Sequence, residues 1–375
     1  MPDKQDISAK MGRVAELDGL RAVSVIFIVL FHLTYGRLSG GFLGVDIFFV
    51  LSGFLITELL VREYQSTGKV DLFKFYMRRA CRILPPLAVC LVLALMFWPS
   101  NEAGRWHAAV ASLLFYANFL DAEKAGSVGH TWSLALEEQF YILWPTTFIV
   151  LFARSRRALA AFACCIVFLA IAVRYSMLTA GVDLDRIYTA TPARMDSLMI
   201  GCLAGLCMPE LRSSVLSIGQ RSAARVTLVA WLALLAALIL VSDNMMKTLP
   251  LAFSGFALLA VTFIVFVQSC ASNTQRFLAS PQMRYIGTRS YGLYLYHYPI
   301  FAALEPLRVE GNLANYAAVS SAKIALSLLL TEVSWRLLEQ QILKMKNRQF
   351  GYGRNFRAAD LLRGSGKVPT RKTTI

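Results

Sequence analysis

The sequence contains a series of apolar runs that are each long enough to cross a lipid bilayer. A transmembrane helix needs about 20 predominantly apolar residues to span roughly 30 Å of hydrocarbon, and such runs recur from residue 20 to residue 337. The chain is 57% apolar and only 16% charged, a balance that a soluble domain of this length would not carry. The sequence therefore predicts an all-α, polytopic membrane protein with about ten transmembrane helices. The predicted spans are residues 20–36, 42–61, 83–98, 132–153, 158–178, 195–208, 226–242, 248–270, 285–303 and 315–337.

The basic residues are distributed unevenly between the two sides of these spans. A formal charge of +15 would suit a nucleic-acid-binding protein, but 29 of the 38 Lys and Arg residues fall in segments on one side. This asymmetry is the positive-inside rule, which places that side in the cytoplasm. We therefore expect both termini in the cytoplasm, a multi-pass location in the cell inner (plasma) membrane, contact with membrane lipids, and no nucleic-acid partner.

The predicted spans divide the chain into three parts. Residues 1–19 form a cytoplasmic N-terminal segment, residues 20–337 the transmembrane domain, and residues 338–375 a basic cytoplasmic tail that we expect to be disordered beyond Phe356. A further apolar stretch, residues 107–120, has about 14 residues and is short for a crossing. We expect it to be an interfacial or re-entrant helix.

The sequence lacks the common signatures of metal and nucleotide sites. Its seven cysteines form no CxxC pair and no His-Cys ligand spacing, so they are read as small buried apolar residues. It contains no P-loop glycine motif, no GxSxG elbow and no HExxH motif. We therefore expect no metal site and no permanently bound cofactor.

Arg21, His32 and Asp46 are ionisable residues in the first predicted hairpin, where lipid should exclude them. Such residues are functional candidates by default, because a charge inside a bilayer is costly. Arg21 and His32 are eleven residues apart, so a helix places them on nearly one face and about 16 Å apart in depth. Asp46 lies about a turn into the second span, at a depth similar to that of His32. We expect a His32–Asp46 pair in which the carboxylate orients the imidazole; a purely structural pair remains the alternative.

A basic cluster precedes the third predicted span on the cytoplasmic side. Arg79 and Arg82 are three residues apart and share one side of a helix, and Arg78 adjoins them. Guanidinium forks suit phosphate oxygens, so this cluster is a candidate site for an anionic substrate. Attraction to anionic lipid headgroups explains the same charges and remains the alternative.

Two adjacent carboxylates open the fourth predicted span. Glu137 and Glu138 precede a long apolar run, which is costly unless one of them faces a wet cavity. Glu137 and Tyr141 fall on one face of the helix at a spacing of four residues. The structural alternative is that acidic side chains are tolerated near a helix N-terminus because of its dipole.

The motifs around these polar residues resemble those of the acyltransferase-3 family of bacterial membrane acyltransferases, which O-acylate cell-envelope and secreted carbohydrates. They occur in the family's order and cover nearly the whole span-bearing region. The matching stretches are residues 17–22 followed by His32, then residues 41–55, 75–83, 132–137, 194–198 and 291–297.

The resemblance implies a ten-span core, an acyl-CoA donor (usually acetyl-CoA) from the cytoplasm, and a hydroxyl acceptor on a carbohydrate or lipid-linked glycan. It makes His32 the essential histidine, Arg21 its partner in the Arg-x10-His motif, and Asp46 and Glu137 further catalytic carboxylates. It assigns the donor to Arg79 and Arg82, with Arg78 beside them. Expected substrate-binding residues are Trp132, Ser133, Tyr141, Arg194, Asp196, Tyr294 and His297.

Some family members carry a C-terminal hydrolase-like domain, whereas only about 38 residues follow the last predicted span here, so the expectation is a stand-alone form.

His32 is the best-placed group for the acid–base step of an O-acyl transfer, because imidazole is well matched to accept a hydroxyl proton near neutral pH. Two other function classes stay open from the sequence: a transporter or flippase of a lipid-linked glycan or acyl group, and a non-catalytic envelope scaffold.

Overall fold

The computed structural model describes residues 14–97 and 104–350, and every regular element within them is helical, which confirms the all-α class. The helices of the first half are α1 (Ala15–Leu33), α2 (Gly44–Thr67), α3 (Leu72–Phe97), α4 (Arg105–Leu113), α5 (Ala122–Ala125), α6 (Trp132–Phe152), α7 (Arg156–Thr179), α8 (Leu184–Thr189) and α9 (Thr191–Leu206). Those of the second half are α10 (Met208–Ser217), α11 (Gln220–Leu240), α12 (Asp243–Thr248), α13 (Ala252–Ser269), α14 (Asn273–Leu278), α15 (Pro281–Leu304), α16 (Leu313–Ser334) and α17 (Gln340–Phe350).

Local sequence signals set several of the helix ends. The side chain of Ser155 accepts a hydrogen bond from the Ala158 N–H at the start of α7, and Ser280 does the same for the Met283 N–H at the start of α15. These N-caps satisfy backbone donors that a helix start leaves free. Gly68 caps the C-terminus of α2, and its φ of 74° lies in the left-handed region that glycine adopts without strain.

Six of the described helices are long and apolar enough to cross a membrane, and a seventh span results if α9 and α10, bent by 71°, are counted together. The six are α2, α3, α7, α11, α13 and α16. Helices α1, α6 and α15 have 19, 21 and 24 residues, which is also long enough for a crossing. They are not among the six, and they carry the polar residues singled out from the sequence. The polytopic membrane fold is confirmed, and the count of ten spans and the side of the termini stay predictions.

Two close helix pairs form the centre of the fold. Helix α2 packs on α9 so tightly that a Cβ atom on Gly53 would lie 2.0 Å from the Leu198 carbonyl oxygen. Helix α1 packs on α15 in the same way, and a Cβ atom on Gly287 would lie 1.8 Å from the Asp18 carbonyl oxygen. Small residues at such contacts let two backbones approach closely inside a membrane. Because both pairs are fixed by backbone contact, they make a firm frame for the side chains between them.

The stretch from residue 107 to residue 120 is too short to cross as a helix. Helix α4 has nine residues, about 14 Å of rise, and a 3₁₀ turn at Ala117–Phe119 follows it. Asn118 then donates a hydrogen bond to the Thr191 hydroxyl at 2.9 Å and accepts one from Gln139 Nε2 at 2.9 Å. The interfacial or re-entrant placement of this stretch stays a prediction.

The last predicted span continues beyond its expected end at residue 337. Helix α16 passes into a π-helical turn at Trp335–Glu339 and then into α17, so no helix boundary separates the predicted domain from the predicted tail. The Tyr296 hydroxyl lies 2.7 Å from the Ser334 hydroxyl, which donates to Glu339 at 3.2 Å and ties the turn to α15. The disorder predicted beyond Phe356 lies outside the described residues, as does most of the predicted N-terminal segment.

Cysteine labelling tests the predicted sidedness. In a background without the seven natural cysteines, a membrane-impermeant maleimide should label Lys124→Cys and Glu310→Cys on intact cells, since these side chains are 67% and 92% exposed. The exposed positions Arg154 and Ser217 should be labelled as cysteines only after permeabilisation. Labelling of Arg154→Cys from outside would contradict the ten-span prediction.

Candidate active site

A cavity lies between α1, α2, α3, α6 and α15 and collects most of the polar residues that the sequence placed inside spans. It encloses about 760 Å³ of empty space, its open mouth included. Seven predicted site residues line it: Arg21, Arg79, Arg82, Ser133, Glu137, Tyr141 and Tyr294. Val45, Phe48, Phe49, Ser52, Leu55, Ile83, Leu134, Ser290 and Tyr291 complete the lining.

The cavity has a strongly basic section. Arg79 and Arg82 reach it from the same side of α3, as their spacing predicted, and Arg21 joins them from α1. The Arg79 guanidinium lies 4.2 Å from the centroid of the Tyr141 ring, a cation–π contact that fixes its orientation. Arg78 does not line the cavity, because its side chain pairs with Glu63 at 3.5 Å. The expectation that Arg78 belongs to this cluster is therefore not supported.

A hydrogen-bonded chain links the cavity carboxylate to its neighbours. The Ser52 hydroxyl donates to Glu137 Oε1 at 2.6 Å, and the Tyr141 hydroxyl donates to Ser52 Oγ at 2.8 Å. Glu137 and Tyr141 thus share one face, as predicted, with Ser52 between them. The sequence reasoning missed Ser52, although a serine inside a long apolar run was a signal. It also missed Tyr291, whose hydroxyl donates to the Ile83 carbonyl at 3.0 Å.

His32 contacts a second histidine. Its Nδ1 lies 2.9 Å from His297 Nε2, and His297 Nδ1 lies 2.7 Å from the Tyr294 carbonyl and 3.1 Å from that of Leu293. A carbonyl only accepts, so in the neutral pair His297 holds its proton on Nδ1 and accepts at Nε2. His32 must then donate from Nδ1. Its Nε2 keeps a free lone pair and forms no hydrogen bond within the described part of the chain.

The expected His32–Asp46 pair is wrong. Asp46 Oδ1 instead accepts hydrogen bonds from Arg194 Nη2 at 2.6 Å and from the Ser197 hydroxyl at 3.2 Å. The physical reason is the close packing of α2 on α9, which brings a guanidinium to a carboxylate that would otherwise be buried without a counter-charge. The ring partner of His32 is His297, a residue that the sequence had assigned to substrate binding.

Arg194 and Asp196 are also unsuited to the substrate-binding role expected from the sequence. Arg174 donates to Asp196 at 2.6 Å, and Ser254 donates to the same carboxylate at 2.5 Å. The side chains of both buried pairs, Arg194–Asp46 and Arg174–Asp196, are 0% exposed. They join α2, α7, α9 and α13 and have no surface that a substrate could touch.

Tyr294 adjoins both the cavity and the histidine pair. It lines the cavity, and its hydroxyl lies 2.6 Å from Ser133 Oγ and donates to the His130 carbonyl at 2.8 Å. The centroid of its ring is 5.8 Å from that of His297. Tyr294 is therefore a point of contact between the cavity lining and the histidine pair.

Trp132 stands apart from Ser133 and Tyr294. Its ring packs on Tyr188 at 4.7 Å and on Phe49 at 6.0 Å, and it does not line the cavity. Packing inside the helix bundle therefore accounts for its contacts, and they lend no support to the substrate-binding role expected from the sequence.

Comparison with known proteins identifies the family. A family model described as an acyltransferase domain matches residues 14–332. "O-acetyltransferase OatA" of Staphylococcus aureus (strain NCTC 8325 / PS 47) is 32% identical over 354 residues, which cover 90% of this chain and 58% of the relative. "Peptidoglycan O-acetyltransferase OatA" of Listeria monocytogenes is 30% identical over 364 residues, covering 92% of this chain and 58% of the relative. No solved structure matches significantly. The chain spans less than two thirds of these relatives' length. The family model covers most of this chain, and the chain therefore belongs to the acyltransferase-3 family.

Proposed function

We propose that the chain is a membrane O-acyltransferase that moves an acetyl or other short acyl group from cytoplasmic acyl-CoA to a hydroxyl of a cell-envelope or secreted carbohydrate. The observation that carries this proposal is a basic cavity and a histidine pair with one free ring nitrogen, both of which adjoin Tyr294. The names of the two relatives support O-acetyl transfer, and one of them supports a carbohydrate acceptor.

The basic section of the cavity suits an anionic donor. Three guanidinium groups and the carboxylate of Glu137 line it. Arg21 pairs with Asp18 at 3.2 Å, so Arg79 and Arg82 are the guanidinium groups proposed to bind phosphate. Val45, Phe48 and Leu55 supply apolar surface for the uncharged arm of an acyl-CoA. Acyl-CoA is here a substrate that binds and leaves, and the proposal needs no permanently bound cofactor.

The histidine pair suits the proton transfer of an ester-forming step. When an acceptor hydroxyl attacks the thioester carbonyl, a C–O bond forms, the C–S bond breaks and the hydroxyl loses its proton. His32 Nε2 takes that proton and returns it to the departing thiolate. His297 keeps accepting from His32 Nδ1 throughout, which holds the ring in place and stabilises the imidazolium form. Nucleophilic attack by the same nitrogen, through an acyl-histidine, would need the same tautomer.

The acyl group would approach the histidine pair at Tyr294. Ser133 and Tyr294 line the cavity, so the thioester end of the donor would lie near them with its phosphates at Arg79 and Arg82. A hydroxyl of the acceptor would then reach the carbonyl from the side of His32.

The double variant Arg79→Lys, Arg82→Lys tests the donor site. It should weaken binding of acetyl-CoA to the purified protein by about tenfold or more, because lysine keeps the charge but loses the bidentate fork. Isothermal titration in detergent measures the affinity, and formation of an acetyl ester from labelled acetyl-CoA in proteoliposomes measures the reaction.

Arg78→Lys is the matched control, because Arg78 adjoins the pair in sequence but faces Glu63 outside the cavity. It should bind the donor like the wild type. If the double variant bound acetyl-CoA as tightly as the wild type, attraction to lipid headgroups would explain the basic cluster instead. A wild-type protein that consumes no acetyl-CoA and forms no ester would overturn the acyltransferase proposal.

A further inference from the structure

We propose that Tyr35, Glu305 and Lys323 act as positioning residues that hold His32 and His297 at their mutual distance. These three residues, here the outer clamp, lie beyond the histidine pair on the side away from the cavity. The inference rests on the proposed function, because it assumes that the geometry of the pair limits the rate of transfer.

The outer clamp joins the ends of α1 and α15 to the middle of α16. The Tyr35 hydroxyl, just past α1, donates to Glu305 Oε2 at 2.6 Å, and Glu305 follows α15 directly. Lys323 Nζ, on α16, donates to the same oxygen at 2.5 Å and to the Tyr35 hydroxyl at 3.2 Å. Arg308 also faces the cluster, 3.0 Å from Glu305 Oε1 and 4.8 Å from the Tyr35 ring centroid. One carboxylate thus binds the chain segments after α1 and α15 together.

The burial of Lys323 and the backbone conformation of Tyr35 both indicate that the fold depends on these contacts. The Lys323 side chain is only 4% exposed in a helix apolar enough to span the membrane, and a buried ammonium persists there only with partners. Tyr35 has a φ of 52°, in the left-handed region that a bulky side chain seldom occupies. Such a conformation persists where surrounding contacts fix it, and it clusters at functional sites.

The clamp lies at one end of the helix pair that carries the histidines. Helices α1 and α15 run parallel, because Asp18 meets Gly287 at one end and Tyr35 meets Glu305 at the other. At the contact between Asp18 and Gly287 the two backbones touch, so the helices cannot move closer together there. The contact between His32 and His297 lies between these two points. The clamp therefore adds a polar restraint at the far end of the helix pair, where Val29 and Phe301 also pack in one apolar cluster.

Phe301 connects the clamp to the histidine pair. Lys323 Nζ lies 5.5 Å from the Phe301 ring centroid, and the Phe301 ring packs edge-on against His297 at 5.6 Å. His32 precedes Tyr35 by three residues across the end of α1. Loss of the clamp would therefore disturb both rings, and displacement of a catalytic group by about 1 Å lowers rates steeply.

The test uses Lys323→Met, Lys323→Arg and Tyr35→Phe in full-length protein. Lys323→Met should lower kcat for acetyl transfer by about tenfold or more and leave the KM for acetyl-CoA unchanged, because none of the three clamp residues lines the donor cavity. Lys323→Arg should recover most of the rate, since it restores a donor to Glu305. Tyr35→Phe, which removes one hydroxyl and little volume, should lower kcat severalfold. This variant still tests the clamp if Lys323→Met does not fold.

Tyr316→Phe is the control, because Tyr316 lies on the same helix as Lys323 and its hydroxyl makes no hydrogen bond within the described ranges. It should behave like the wild type. Normal kcat in both Lys323→Met and Tyr35→Phe would overturn the clamp while leaving the proposed function intact. Parallel loss of donor binding and kcat would also overturn it, as a general structural defect. Absence of transfer by the wild type would instead be a failure of the proposed function.

Discussion

His32→Gln should lower acyl transfer by about a hundredfold or more while acetyl-CoA still binds. A factor of this size is usual for loss of a general acid–base group. Glutamine fills much of the space and keeps a hydrogen-bonding side chain, but its amide has no basic nitrogen to accept a hydroxyl proton. Transfer is measured as ester formation from labelled acetyl-CoA in proteoliposomes, and binding is measured by titration of the purified protein.

His297→Gln and His32→Ala complete this series. His297→Gln should lower transfer by less than His32→Gln, because the glutamine carbonyl still accepts from His32 Nδ1 and keeps its tautomer, while the fixed geometry is lost. His32→Ala should match His32→Gln, which separates chemistry from packing. Near-normal transfer in His32→Gln would show that the ring is structural, and the catalytic assignment would fail.

Arg194→Met should destabilise the protein by about 3–5 kcal/mol, because it leaves the Asp46 carboxylate buried without its cation. The double variant Asp46→Leu, Arg194→Met should recover much of this loss, since replacing both members of a buried ion pair with apolar groups is often close to neutral. The measurement is the unfolding midpoint in detergent, followed by tryptophan fluorescence, together with acyl transfer by the surviving folded protein.

Lys74→Met serves as the matched control, because Lys74 pairs with Asp71 at 3.1 Å on an exposed surface, where ion pairs contribute little. Its midpoint should equal that of the wild type. If Arg194→Met instead kept its stability but lost transfer, Arg194 would have the substrate role expected from the sequence. The structural assignment of the pair would then be incorrect.

The helices and their membrane character could be predicted because both follow from local sequence. Long apolar runs identify α2, α3 and α13 without knowledge of their neighbours. The apolar run that contains α4, a helix of nine residues, could likewise be predicted to be too short to cross. The helical period likewise predicted that Arg79 and Arg82, and Glu137 and Tyr141, share a face, since this depends on one helix alone.

The pairing of side chains between helices could not be predicted in this way. Asp46 was assigned to His32 because both lie at a similar depth, but depth does not say which helix a side chain faces. The answer depends on the packing of α2 against α9, which brings Arg194 to Asp46. His297 is 265 residues from His32, and only the parallel packing of α1 and α15 brings the two rings together.

The tautomer of the histidine pair also determines how the site would respond to electrophiles. Imidazole nitrogens react with acylating or alkylating reagents through a free lone pair. In the pair, His297 uses both nitrogens and His32 uses Nδ1, so His32 Nε2 is the one nitrogen of the two rings left to react. A covalent inhibitor that reaches the pair would therefore modify a single atom. Its selectivity would come from the hydrogen bonds of the target rather than from the reagent.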